Sequence, residues 1–241
     1  MRHDFGFDPL HYGAGGAQQR LFKERVASEL RSYDFLFTGE VGILWHIYVD
    51  EQDRWETPNG ADVDNFAKLL NDAIKGADAL LFDDCQIQRL EIAWLPARGE
   101  RSFELTVRCQ PDEWVTRPAS LYELSDGLWY PFSSDEANAL KATGFLHGLD
   151  DNVRLVKKLR HHLRQGGLTK LEAFESAKPI ESMARGFHRT RIADGGFGLI
   201  SHSEWMADHN NPERAVGDID EIARKLSAAI ITARHHRKQL K

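Results

Sequence analysis

Cysteine is scarce. The 241 residues include only Cys85 and Cys109 and no CxxC pair, so neither a disulfide framework nor a structural zinc site is expected. Both thiols read as small apolar residues in strands. No apolar run approaches the roughly 20 residues of a membrane span. Met1-Arg2-His3-Asp4 leads into no apolar signal-peptide core. A cytoplasmic protein with no membrane partner is the expectation. Excess positive charge is also missing: 31 Lys and Arg stand against 37 Asp and Glu, a net of −6. That balance argues against a general nucleic-acid coat protein. Gly195-Gly196-Phe197-Gly198 lacks the GK[ST] ending of a phosphate loop. No GxSxG surrounds Ser201-His202-Ser203, which removes a serine-hydrolase reading.

What is present suits a globular chain. Hydrophobic residues make up 41% and charged residues 28%, enough apolar material for a sizeable core. The charge is uneven: residues 1–115 hold 12 basic and 21 acidic side chains (net −9), and residues 116–241 hold 19 and 16 (net +3). A polyanion would therefore meet the second half more readily than the first, unless metal neutralises some of the carboxylates.

Residues 1–17 show no clear period and read as an irregular arm or a poor first strand. Leu21, Phe22, Val26 and Leu30 recur at helical spacing within 18–31. Val41 to Val49 reads as a buried strand, and Glu51 to Gly60 as a polar loop closed by Pro58-Asn59-Gly60. Asp62 to Lys75 has an apolar face of Phe66, Leu69, Leu70, Ala73 and Ile74 and ends at Gly76, the pattern of a terminated amphipathic helix. Residues 86–95 and 102–109 read as strands forming a hairpin. Residues 112–132 look aromatic-rich and irregular. Helices are expected over 135–143, 150–164 and 169–176, with a long one from 211 or 217 to about 238. The fold class expected is α+β: a small mixed sheet with packed helices over 1–115, followed by a mainly helical extension over 116–241.

The segment with chemical content is Asp62-Val63-Asp64-Asn65-Phe66-Ala67-Lys68, followed by Phe82-Asp83-Asp84-Cys85-Gln86-Ile87. Mg²⁺ takes hard oxygen ligands and needs only one or two carboxylates beside its waters. A DxD at a helix entrance aims two carboxylates at one point, and an Asp in a later loop can face them. Lys68 stands one turn beyond Asp64 on the same helix face, placed to meet phosphate charge. Taken singly, each of these is ordinary: DxD caps helices, Asp-Asp occupies solvated turns, and lysine covers surfaces. Gly217-Asp218-Ile219-Asp220-Glu221 supplies an internal control, a second DxD opening a helix with no acidic turn downstream.

Taken together, the segments resemble the RusA family of Holliday junction resolvases. The family's central block is a DxDN-x-x-K helix, a loop ending in Asp-Asp, and a strand starting Gln-[Ile/Val]. The resemblance is close over 61–95 and looser over 18–110. It implies that Asp62, Asp64 and Asp84 are catalytic carboxylates holding Mg²⁺ (or Mn²⁺), that Lys68 is the catalytic lysine, and that Asn65 and Asp83 support the site. It further implies a homodimer that nicks branched DNA. Nucleic-acid contacts are expected from Arg54 and from Arg154, Lys157, Lys158, Arg160 and Arg164, a basic run on a helix. Trp55 is a candidate for stacking on a base. His161-His162 and His235-His236 point about 100° apart on a helix and chelate poorly. Two alternatives stand beside the resolvase: a non-catalytic DNA- or protein-binding module keeping the fold, and a metal-dependent nuclease for another nucleic-acid structure.

Overall fold

The computed structural model describes residues 1–56, 62–97, 99–135, 144–181, 185–207 and 218–239, excepting the side chains of 53, 54 and 236–239. The fold is α+β. It divides into two compact units, Met1–Ala119 with Arg189–Gly198, and Ser120–His188 with Leu199–Lys241. Among the described residues no helix is long and apolar enough to cross a membrane.

The first unit is built on a four-stranded sheet ordered β1-β5-β3-β4, with β1 at Arg2–Phe5, β3 at Val41–Val49, β4 at Ile87–Pro96 and β5 at Ser102–Cys109. Side chains alternate between faces along a strand. Val41, Ile43, Trp45, Ile47 and Val49 therefore all enter the core on one face of β3. They meet Phe22, Val26 and Leu30 of α1 (Gly16–Leu30) and Phe66, Leu69 and Leu70 of α3 (Val63–Ala73). Leu21, expected on the α1 core face, is exposed instead. The N-terminal arm does form a strand, paired antiparallel with β5.

β4 and β5 do not make the expected hairpin. Both pair with β3, β4 parallel on one side and β5 antiparallel on the other. A parallel neighbour needs a crossover, and α3 provides it between β3 and β4. The chain then steps across β3 to reach the opposite side. A short strand β2 (Phe35–Phe37) pairs with β6 (Trp114–Thr116). Glu51–Glu56, expected in a loop, is a helix, α2; the expected turn at 58–60 lies outside the described residues. Cys85 sits in a 3-10 turn and Cys109 ends β5, both exposed and unpaired. Cys109 is a strand residue as expected, and Cys85 is not.

The second unit carries helices α4 (Phe145–Gln165), α5 (Lys170–Ala177) and α8 (Ile219–Gln239), with the short α7 (His202–Ala207). It is not helical throughout: β7 (Ala119–Glu123), β8 (Trp129–Ser133) and β9 (Gly198–Ile200) form a three-stranded sheet ordered β8-β7-β9. The aromatic residues of 112–132 are thus strand residues, and Tyr122, Tyr130 and Phe132 pack with Leu146, Leu149 and Trp205. Thr169 caps α5 through a reciprocal capping box with Glu172. Most of the helix expected over 135–143 lies outside the described residues.

Candidate functional site

The entrance of α3 is held by backbone. Asp62 is the N-cap in an extended conformation, and Asn65 N–H donates to its carbonyl at 3.1 Å. Its carboxylate, however, makes no capping hydrogen bond. Asp62, Asp64 and Lys68 are all exposed, and among the described residues neither carboxylate has an ion-pair partner. The Lys68 ammonium lies 3.7 Å from the centre of the Tyr12 ring. Tyr12 arrives on the N-terminal arm, where its N–H donates to the Asn65 carbonyl at 3.0 Å. Nothing in its local sequence marked Tyr12; only the docking of the arm brings it here. Arg54 and the approach residues 57–61 lie outside the described side chains. Trp55 is exposed on α2.

The second DxD behaves differently. Asp218 accepts a hydrogen bond from Asp220 N–H. Asp220 engages His162, Lys158 and Arg224, each at 3.1 Å. The hydrogen bonds from His162 and Lys158 hold its pKa at about 2. Asp220 is thus engaged by two side chains of α4 and one of its own helix, whereas Asp62 and Asp64 have no ion-pair partner among the described residues.

The Asp83-Asp84 turn is built from the inside. Gln86 is buried; its Oε1 accepts from Phe82 N–H at 2.8 Å and Asp83 N–H at 3.2 Å. Its Nε2 donates to the carbonyls of Phe37 at 2.7 Å and Gly39 at 3.0 Å. Asp83 is buried, accepts from Cys85 N–H at 3.0 Å, and receives the Arg191 guanidinium at 3.1 Å. Burial opposes its ionisation, but the Cys85 and Arg191 contacts outweigh burial and hold its carboxyl below the usual range. Although the residue is exposed overall, partial desolvation of its thiol, then the hydrogen bond with Asp83 and the Asp83 charge, push the Cys85 thiol up to about 12, so it stays protonated. Asp84 projects outward, 3.6 Å from the Lys75 ammonium.

Arg191 lies 108 residues beyond Asp83 and no local pattern announces it. Its short helix α6 (Arg189–Ile192) belongs to the segment that returns to the first unit. Two further contacts dock that segment: Gly195 carbonyl accepts from Ala77 N–H at 2.8 Å, and Phe197 stacks on Phe82 at 4.8 Å. Gly76 adopts φ +113°, and a Cβ there would meet the Gly195 carbonyl at 3.3 Å. That position therefore favours glycine twice over.

The structure does not bring the three expected carboxylates together within one chain. Phe66, one turn into α3, packs on Trp94 near the far end of β4, with ring centres 5.3 Å apart. Asp84 precedes the first residue of β4, Ile87. Seven residues of strand separate those levels, about 23 Å. α3 thus runs back along β4, with Asp62 and Asp64 at one end and Asp84 at the other. Among the described residues no three acidic, His or Cys side chains are gathered to hold a metal. Asp62 and Asp64 fit Mg²⁺ as hard, exposed, unpaired oxygen donors. Asp84 of the same chain does not complete their site.

The expected basic helix is α4, and its cations divide. Arg154 pairs with Asp151, Lys158 with Asp220 and Arg160 with Glu181. Lys157 and Arg164 have no carboxylate partner among the described residues, and both line a cavity. No protein-family model and no curated protein matches the chain.

Proposed function

We propose that this protein is a Mg²⁺-dependent endonuclease of branched DNA that acts as a homodimer, each metal site drawing Asp62 and Asp64 from one copy and Asp84 from the other. The observation that carries this reading is the contrast between the two DxD helix entrances: Asp218 accepts from its own turn and Asp220 is engaged by His162, Lys158 and Arg224, whereas Asp62 and Asp64 stand exposed beside Lys68 with no ion-pair partner among the described residues. The likeness of the DxDN-x-x-K and Asp-Asp-x-Gln segments to the RusA pattern supports phosphodiester hydrolysis. The separation of Asp84 from Asp62 and Asp64 along α3 supports a site shared between two copies.

Bound there, Mg²⁺ supplies charge neutralisation and an activated water. Asp62 and Asp64 hold the ion. Lys68 places a positive charge one turn along the same face, where the phosphate gains negative charge. Asp83 and Gln86 fix the turn that presents Asp84.

Cleavage of a labelled four-way junction, a flap and linear duplex, side by side, tests the reading. Asp64→Asn and Asp84→Asn should each lower cleavage by a factor of about 10² or more while leaving the melting temperature near that of the parent. Mixing the two inactive variants tests the shared site. A mixed dimer regains one intact set of carboxylates, so part of the activity should return. Two inactive variants that stay inactive after subunit exchange would refute the shared site. Full activity in Asp64→Asn would refute the nuclease reading itself.

A further inference from the structure

Lys157 and Arg164, the α4 cations without a carboxylate partner among the described residues, share one face with His161. Lys157, His161 and Arg164 stand at i, i+4 and i+7, positions that share a helix side. They line an open cavity of about 390 Å³ whose floor is Leu128, Val153 and Val156. A second cavity of about 490 Å³ adjoins it through His161 and Arg164 and runs on past the end of α4 to Thr169 and Lys170. The cations that are neutralised elsewhere include Arg154 and Lys158, which do not line either cavity. Lys157, Arg164 and Lys170, by contrast, have no carboxylate partner among the described residues. Arg160 lines the first cavity with a buried Nε that has no acceptor, and its guanidinium lies over the Phe174 ring at 4.6 Å.

We propose that this cleft of the second unit binds single-stranded nucleic acid, with phosphates on Lys157, His161, Arg164 and Lys170 and bases over the apolar floor. A cationic track beside apolar and aromatic surface is the general means of holding a single strand. Lys157 to Arg164 spans about 10 Å of helix, more than one phosphate of a strand covers. A mononucleotide would engage one part of this track, because Lys170 extends it beyond α4. A duplex suits a helix that projects into its groove; here the helix face is the wall of a cleft. This binding is separate from the metal site and does not depend on cleavage.

Fluorescence anisotropy of labelled oligothymidylate with the full chain in EDTA tests the proposal. Removal of two phosphate contacts in a Lys157→Ala/Arg164→Ala double variant should lower the slope of log affinity against log salt by about 1.4 and weaken binding roughly tenfold. Both side chains are exposed, and circular dichroism checks that the variant stays folded. Lys225→Ala, which removes a charge outside the cavities, should leave the slope unchanged. Equal binding of oligouridylate supports recognition through the backbone. An unchanged slope in the double variant overturns the proposal. Tighter binding of duplex than of strand, or binding of polyglutamate in preference to the strand, also overturns it. Binding is read without metal and cleavage with it, so failure of either reading leaves the other standing.

Discussion

Arg191 and Asp83 show how one pair serves a turn that must present its neighbour. A buried carboxylate without a partner is costly, and Asp83 is buried next to the outward-facing Asp84. Arg191 and the Cys85 N–H supply that partnership. Arg191→Ala should lower the melting temperature of the first unit by leaving the buried Asp83 carboxylate without its cation. Asp83 is held below its ordinary value of 3.8, so the stability it contributes is present above that value and is lost as pH falls through the lower folded one. The melting-temperature gap between parent and variant should therefore be fully present at about pH 7 and close as pH falls below 3.8. A gap that stays constant across that range would show that Arg191 acts through packing alone. Of the residues in the candidate site, Asp62, Asp64 and Lys68 were legible from their spacing, because i, i+2 and i+6 at a helix start is a local pattern. Arg191 and Tyr12 were not, because each reaches the site from a distant segment.

At the scale of elements, the Asp-Asp-x-Gln segment is a bracket between loops. Gln86 makes four hydrogen bonds from a buried position, two to its own turn, one to the end of β2 and one to the loop between β2 and β3. Gln86→Ala leaves buried backbone groups without partners and should lower stability by about 3 kcal/mol, read by urea unfolding. Gln86→Glu keeps the acceptor but loses the two donors, so it should also destabilise; parent-like stability in both variants would show the bracket to be dispensable. α3 and the strands on either side of it were readable from periodicity. The pairing of those strands was not. Alternation fixes which face of a strand is apolar but not which strand lies beside it, and a short connection between 96 and 102 reads equally as a hairpin or as a step across β3. The strands of 114–133 escaped notice because their aromatic residues alternate too irregularly to give a period.

For the whole molecule, a metal site shared between copies ties ion binding to assembly. An ion that binds the dimer and not the monomer favours the dimer by mass action. Mg²⁺ should thus shift sedimentation towards the dimer relative to EDTA, and Asp64→Asn should abolish the shift. A balance indifferent to Mg²⁺ in the parent would count against the shared site. The two proposals assign metal binding and strand binding to different units. The acidic half contains the free DxD, and the net-basic half contains the cationic cleft along α4. Composition indicated that polyanion binding belonged to the second half. The folded helix separated the cations already paired from Lys157 and Arg164, which have no carboxylate partner among the described residues.

By itself, the sequence determined the α+β class, the acidic entrance of α3, the Asp83-Asp84 turn and the basic character of α4. Each of these is a local property, written in periodicity, capping chemistry or charge within a few turns of chain. Only the tertiary structure decided that β3 lies between β4 and β5, that residues 189–198 return to the first unit and bring Arg191 to Asp83, and that α3 holds Asp62 and Asp64 away from Asp84. Those outcomes depend on how elements distant in sequence bury their apolar faces against one another. A one-dimensional pattern names the partners of a site, but the distances between them follow only from the packed core.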